Sequence, residues 1–189
     1  MKKILLILAI LLLVSGAYAQ TGKFLGGLNF SNYHSTDETT SQKFGYWGGV
    51  GFEWGSGLFI GEFDILYFQK GATVDVNGQD VDFTLSELLL PAMIRIKFLP
   101  RTSPYIFGGG EVGYVLSYKS SNAVAPAGQD VVKNWDYGLV FGAGIELWFG
   151  SAGIFVEGRY HYGMAPMGEG AGFDFKTNSI AFLLGFVFF

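Results

Sequence analysis

The sequence predicts an all-β fold: an eight-stranded antiparallel up-and-down transmembrane β-barrel, preceded by a cleaved signal peptide. Three observations lead to this prediction. Half of the residues are hydrophobic, yet after the first twenty no run of 18 apolar residues occurs. Eight segments alternate apolar and polar residues with a period of two. The last segment, 177–189, is uncharged and ends on Phe189, as expected of a strand that closes against the first strand and faces lipid.

Residues 1–19 have the pattern of a secretory signal peptide. Lys2 and Lys3 precede the apolar run 4–14, and Ala17-Tyr18-Ala19 forms a small-x-small cleavage site. An uncleaved anchor is disfavoured because the apolar run is short for a spanning helix. We therefore expect two regions, a signal peptide at 1–19 and one outer-membrane barrel domain at 20–189.

Composition excludes several classes of function. The chain has no cysteine, which removes disulfides, thiolate metal sites and cysteine nucleophiles. Its formal net charge is −4, so we expect no nucleic-acid partner, because nucleic-acid binding needs basic patches. The glycine runs 108–110 and 142–144 lack the Lys-Ser/Thr of a phosphate loop. The sequence therefore predicts no cofactor.

The eight strands are predicted from their alternation, with one face in lipid and one in the lumen. They fall within 23–33, 43–54, 59–70, 87–98, 106–118, 136–149, 154–162 and 177–189. Tyr118, Trp135, Tyr160 and Tyr162 fit aromatic belts at the membrane interfaces. The eighth strand is apolar on both faces. If Phe189 faces lipid, its alternation places Phe182, Phe186 and Phe188 inward.

The connections between strands predict the orientation. Those after strands two, four and six are short, and those after one, three, five and seven run roughly ten to sixteen residues. This asymmetry predicts periplasmic short turns, outer long loops and two periplasmic termini.

The dipeptide Asn77-Gly78 predicts a hairpin between the third and fourth strands. Pairing about this turn places Phe59 opposite Ile96 and Phe63 opposite Ala92. These are the residues that alternation already assigns to the lipid face. We expect the hairpin to extend beyond the membrane.

Charged residues on the predicted inward face form the main candidate site. A gated, cation-preferring path is one interpretation, since acidic residues predominate. The favoured interpretation is a plug of salt bridges that fills a narrow barrel. The set comprises Glu53, Glu62, Asp64, Glu87, Arg95, Lys97, Glu111, Glu146, Glu157, Arg159 and His161, with Lys70 as a further candidate.

The two histidines are the candidates for catalysis. His161 shares an inward face with Glu157, but no serine is predicted at close strand spacing to it. His34 lies in the first loop beside Ser31, Ser35 and Asp37, a cluster typical of solvated loops. The sequence therefore predicts that the protein is not an enzyme and has no catalytic residues.

Three carboxylates, those of Asp75, Asp80 and Asp82, fall on one face of the predicted hairpin, with Asp75 opposite Asp80. Facing like charges are unfavourable unless neutralised, so Ca²⁺ or Mg²⁺ is one hypothesis. Screening of the three charges by water and salt on an exposed hairpin tip is the favoured alternative. The sequence therefore predicts no metal site, and the three aspartates are only weak candidates for one.

Three short motifs, DILYFQKGA at 64–72, ELLLP at 87–91 and GGLNFS at 26–31, resemble signatures of the PorT-like family of small outer-membrane β-barrel proteins. Residues 64–72, DILYFQKGA, are similar to the family's E-L-x-Y-x-Q-K-G-A. Residues 87–91, ELLLP, resemble its L-E-(I/V)-P strand, and residues 26–31, GGLNFS, its G-(x)-N-F-S first strand. Asp64 replaces the usual glutamate, and an extra leucine precedes Pro91. The resemblance implies an eight-stranded barrel, and the member that names the family is similar to components of a protein-secretion system.

Together these observations predict a monomeric, non-catalytic integral outer-membrane protein. Its expected partners are outer-membrane lipid and an envelope or secretion protein that contacts the outer loops. A narrow cation-preferring passive pore is the alternative, followed by a secretion-system component or a lipid-modifying enzyme.

Overall fold

In the computed structural model the chain forms a closed barrel of eight strands. The structure describes residues 21–34, 40–76, 79–99, 102–120, 134–165 and 176–189, with side chains omitted at 33–34, 40–42, 72–76, 79–81, 120 and 176. The strands are β1 (Thr21–His34), β2 (Thr40–Ser56), β3 (Phe59–Val76), β4 (Gln79–Lys97), β5 (Thr102–Ser120), β6 (Trp135–Phe149), β7 (Ala152–Gly163) and β8 (Lys176–Phe188).

Each strand pairs antiparallel with its neighbours in sequence, and β1 pairs with β8 to close the sheet. Closure satisfies the backbone hydrogen bonds that an open edge would leave unpaired. The predicted fold, an eight-stranded antiparallel up-and-down barrel, is therefore confirmed. In the described part of the chain, no helix is long and apolar enough to cross a membrane.

The register of the β3–β4 hairpin agrees with its prediction. Phe59 pairs with Ile96 and Phe63 with Ala92, and the ladder continues to Asp75 opposite Asp80. The turn residues 77–78 lie outside the described residues. With 18 and 19 residues, β3 and β4 are long strands in this barrel, as a protruding hairpin requires.

The two ends of the barrel differ in their connections. Two of the short turns, those after β2 and β6, contain Gly57 and Gly150 at φ of 77° and 72°, a region that favours glycine. The long connections after β1 and β3 are shorter than predicted. Strands β1 and β2 extend to His34 and Thr40, and strands β3 and β4 extend to Val76 and Gln79. We call the end with the short turns the short-turn end, and the opposite end the long-loop end.

The prediction for β8 was wrong. Phe182 and Phe186 point outward with Leu184, whereas Leu183 and Val187 are buried inside. Phe189 is exposed without reversing this pattern, because β8 ends at Phe188 and Phe189 stacks on Trp148 with ring centroids 4.7 Å apart. The exposure of Phe189 therefore does not indicate which side chains of β8 face outward.

The predicted place of Tyr118 in an outward belt was also wrong. The register between β4 and β5 shifts from Ser86↔Ser117 to Glu87↔Val115, which marks a β-bulge. Beyond this bulge Tyr118 pairs with the buried Leu85 and packs against the inner cluster that contains Leu85 and Val115. The extra residue reverses the alternation that the sequence predicted.

Glycines on the inward face leave room for large side chains from neighbouring strands. A Cβ added to Gly144 on β6 would lie 2.6 Å from the Tyr105 ring and 2.6 Å from the backbone oxygen of Val156. Both distances are below ordinary van der Waals contact. By contrast, a Cβ added to Gly110 on the exposed face of β5 would approach only the oxygen of Gly138, at 3.9 Å.

We expect Gly144→Ala to destabilise the barrel because Tyr105 and the β7 backbone must shift to admit a methyl group, at a cost of roughly 1–3 kcal/mol. Urea unfolding of the refolded barrel in lipid vesicles measures this. Gly110→Ala is the matched control and should differ from the wild type by less than about 0.5 kcal/mol. Equal midpoints for the two variants would contradict the packing described.

Candidate functional site

The inward side chains form three levels along the barrel. Near the short-turn end lies the lower cluster, whose charged groups come from six strands. An apolar layer follows, and the upper cluster lies beyond it towards the long-loop end. The lower cluster contains Lys23, Glu53, Glu62, Asp64, Arg95, Lys97, Glu146, Glu157 and Arg159; the upper cluster contains Lys70, Glu87, Glu111, Asp136 and His161.

Arg95 on β4 is the centre of the lower cluster and is 0% exposed. One terminal nitrogen lies 2.8 Å from Glu53 and 3.1 Å from Glu146. The other lies 2.6 Å from Glu62 and 2.8 Å from Glu157. The guanidinium also lies over the Tyr105 ring, 4.0 Å from its centroid. Arg95 therefore connects four other strands: β2, β3, β6 and β7.

Arg159 joins opposite walls of the barrel. It projects from β7, and its carboxylate partners Asp64 and Glu62 lie on β3, four strands away around the closed sheet. The distances are 2.7 Å to Asp64 and 3.3 Å to Glu62, and its Nε donates to Glu157 at 2.7 Å. Because Arg159 is 1% exposed, side chains fill the barrel at this level.

Lys97 marks the boundary between the lower cluster and a vestibule at the short-turn end. Its ammonium lies 2.8 Å from Glu146 and 3.4 Å from Glu53. The vestibule has a volume of about 830 Å³, and its lining includes Lys97, Glu53, Leu58 and Trp148. Trp148 donates its indole N–H to Glu146. The inner end of the vestibule is therefore lined by paired charged groups.

The apolar layer separates the two charged clusters. Trp47 and Phe68 pack with their ring centroids 5.5 Å apart. The neighbouring buried residues form two hydrophobic clusters. One contains Leu25, Leu66, Leu89 and Leu183. The other contains Met93, Phe107 and Val140. An apolar layer has a low dielectric constant, so it screens the charges on either side less than water would.

The upper cluster has one ammonium group among three carboxylates. Lys70 Nζ lies 2.6 Å from Glu87 Oε1 and 2.9 Å from Asp136 Oδ2. Thr177 also donates to Asp136 Oδ2, at 3.3 Å. The third carboxylate, Glu111, lies 2.7 Å from Nδ1 of His161.

His161 has a neighbour that the sequence prediction missed. Ser179 on β8 pairs directly with His161 in the β7–β8 ladder, and both are buried. The statement that no serine lies at close strand spacing was therefore wrong, since this neighbour is adjacent only across the sheet. His161 Nε2 and Ser179 Oγ each lack a hydrogen-bond partner, so the structure shows no bond between them.

The structure places all eleven predicted lumen residues inside, and Lys70 with them. Sequence reasoning left out Lys23, which pairs with Glu53 and Glu62. Asp136, which is buried and pairs with Lys70, was also absent from the predicted set. Alternation contained the signal for Lys23, because it lies two residues before the inward Leu25.

The hairpin aspartates give no metal centre in the part of the chain that is described. Among those residues, no three Asp, Glu or His side chains form a group that could hold a metal ion. The side chains of Asp75 and Asp80 lie outside the described set, so their hypothesis stays a prediction. Asp82 lies 3.2 Å from Lys43 Nζ, which crosses over to β4 and also donates to Thr84.

Comparison with known proteins places this geometry in context. Residues 19–169 match the family described as "Outer membrane protein beta-barrel domain". The structure resembles the outer membrane protein OprG from Pseudomonas aeruginosa, with 14% identity, a TM-score of 0.57 and coverage of 90% of this chain and 96% of that chain. It also resembles Neisserial surface protein A, with 12% identity, a TM-score of 0.56 and coverage of 88% and 96%. No curated protein matches this chain in sequence.

We expect Arg95→Met to destabilise the barrel strongly, by about 3–5 kcal/mol, because four buried carboxylates lose their shared partner. Urea unfolding in lipid vesicles measures the change. Lys119→Met, on the exposed surface of β5, is the control and should have little effect. Adding Glu62→Gln to Arg95→Met should recover part of the loss, since one unpaired charge is removed. An Arg95→Met barrel as stable as the control would show that the network is not needed.

Proposed function

The chain belongs to the outer membrane protein β-barrel domain family, and on that premise we propose that it acts as a closed, non-catalytic scaffold. As a member of this family it is an integral outer-membrane protein. Its role is to present its outer loops to an envelope partner, while the barrel interior serves as a structural plug.

The observation that carries this proposal is the set of contacts made by Arg95. One fully buried guanidinium pairs with carboxylates on β2, β3, β6 and β7. A conducting lumen needs water along its wall, whereas these charges pair with one another across it. Because its four partners lie on four different strands, the Arg95 side chain holds these parts of the barrel wall together.

Arg159 supports the same conclusion. A pore requires the basic groups to leave a gap beside the carboxylates, but Arg159 extends from β7 to the opposite strand β3. The apolar layer above it adds a second barrier, because narrow hydrophobic constrictions exclude water.

A narrow cation-preferring pore is the second candidate. It is favoured by the excess of carboxylates over basic groups inside the described barrel, which is concentrated in the upper cluster. Cations would then be attracted from the long-loop end. Conduction would require Arg95 and Arg159 to release their partners.

A lipid-modifying enzyme is disfavoured. His161, Glu111 and Ser179 include the residue types of a nucleophilic triad, but all three are buried. An ester carbonyl of a lipid could not reach Ser179 without opening of the wall. The proposed function is therefore non-catalytic.

The PorT-like motifs suggest the class of partner. The motif at residues 64–72 contains Asp64 of the lower cluster and Lys70 of the upper cluster, so part of this motif lies inside the barrel. Recognition of a partner is then left to residues 121–133 and 166–175, which the sequence predicts to lie in outer loops and which are rich in small and polar residues. We propose a protein of the envelope or of a secretion system as that partner.

We expect the refolded wild-type barrel to be silent in a planar bilayer, because the plug leaves no hydrated path. The matched variant Arg95→Ala, Arg159→Ala removes both crossing guanidinium groups. It should show channel openings if it inserts, which verifies that the recording would detect them.

The opposite result has its own signature. Steady cation-selective steps from the wild type, weakened in Glu111→Gln, Glu146→Gln, would refute the plug and make the lumen carboxylates functional. Those two substitutions remove one charge from each cluster.

The proposed orientation can be tested with single cysteines, since the chain has none of its own. We expect a membrane-impermeant maleimide to label Ala125→Cys in intact cells. Ser151→Cys, in the short turn after β6, should react only after the outer membrane is permeabilised. The reverse pattern would place the short turns outside.

A further inference from the structure

We propose that the upper cluster binds one partly hydrated hard metal cation between Glu87 and Asp136. This site is separate from the plug of the lower cluster and does not depend on the proposed function. Its ligand class is a small cation that prefers carboxylate oxygens and retains several water molecules, such as Mg²⁺, Ca²⁺ or Na⁺.

The first argument is the charge of the two clusters. In the lower cluster five carboxylates face two lysines and two arginines, so charge is nearly balanced. In the upper cluster three carboxylates face one lysine, and His161, whose Nδ1 lies 2.7 Å from Glu111, adds a positive charge only when it is protonated. A buried excess of negative charge is costly unless a positive charge neutralises it.

The second argument is the unused oxygen on each carboxylate. Glu87 directs Oε1 to Lys70, and Asp136 directs Oδ2 to the same nitrogen. Glu87 Oε2 and Asp136 Oδ1 are buried and have no hydrogen-bond partner. Buried carboxylate oxygens are normally paired, so these two atoms are available to a cation.

The third argument is the space at Gly113. This glycine lies on β5 between the strands that carry the two carboxylates. A Cβ built on it would lie 2.8 Å from Glu87 Oε2 and 3.3 Å from Asp136 Cβ. Glycine at this position therefore leaves room for both acidic side chains beside β5.

The geometry also limits which cation fits. Because no three acidic or histidine side chains among the described residues form a metal-binding group, the site offers two carboxylate ligands. That number suits an ion that keeps most of its water, and it disfavours a tightly held zinc. Unpaired polar atoms on His161 and Ser179, in the same half of the barrel, can hold water nearby.

The test is the thermal unfolding midpoint of the refolded full-length barrel in a non-ionic detergent at pH 8. Samples in EDTA and choline chloride are compared with samples containing CaCl₂, MgCl₂ or NaCl at the same ionic strength. We expect at least one metal salt to raise the midpoint by roughly 5 °C or more at saturation. The responding salt identifies the cation.

Two variants locate the ion. Glu87→Gln, Asp136→Asn keeps the side-chain shapes and should abolish the response. Asp75→Asn, Asp80→Asn alters the hairpin and should retain it. Loss in the hairpin variant with retention in the lumen variant would place the ion on the hairpin and overturn the proposal.

A direct measurement keeps the proposal testable if the lumen variant does not fold. Equilibrium dialysis of the wild type with the stabilising ion should give one bound ion per chain. No response to any of the three salts would overturn the proposal. Stabilisation on lowering the pH to 6 without any response to salts would do the same, because a proton would then neutralise the cluster.

Discussion

A guanidinium group that water cannot reach must find its partners inside the protein, and in this barrel Arg95 finds four of them. Glu53, Glu62, Glu146 and Glu157 each belong to a different strand, and each is itself buried. Truncating such a hub leaves several carboxylates uncompensated in a medium of low dielectric constant. The relative placement of the strands at the short-turn end is therefore coupled to one side chain.

The rest of the interior is arranged around this requirement. Inward glycines such as Gly144 provide the room that Tyr105 needs to cover Arg95 and to donate to Glu157 at 2.8 Å. The apolar layer then ends the charged network, because aromatic rings such as Trp47 and Phe68 offer few hydrogen bonds to charged groups. Large and small residues alternate across facing strands, which is how a narrow barrel is filled.

The difference between the two charged clusters bears on function. The many cross-strand ion pairs of Arg95 in the lower cluster favour a static support, whereas two carboxylates of the upper cluster share one lysine. The proposed cation site lies in the half of the barrel nearer the long-loop end, which is the end that the proposed function assigns to partner binding.

The sequence by itself determined the strand count, the closed fold and the inward face of seven strands. Alternation with a period of two is a local property, and the Asn77-Gly78 dipeptide predicts the register that the β3–β4 hairpin has in the structure. The failures were local too. A bulge in β5 turns Tyr118 to the inner face, opposite to its predicted orientation. Phe189 lies beyond the end of β8, so its exposure does not indicate which face of that strand points outward.

Only the tertiary structure decided which charges meet. Arg95 and Glu157 are 62 residues apart in sequence, and Arg159 and Glu62 are 97 apart. Ser179 lies beside His161 only because β7 pairs with β8. Closing the sheet fixes the stagger of every strand against the others, and this stagger selects the partner of each inward side chain. Alternation specifies a face, but the partners across the lumen follow from closure.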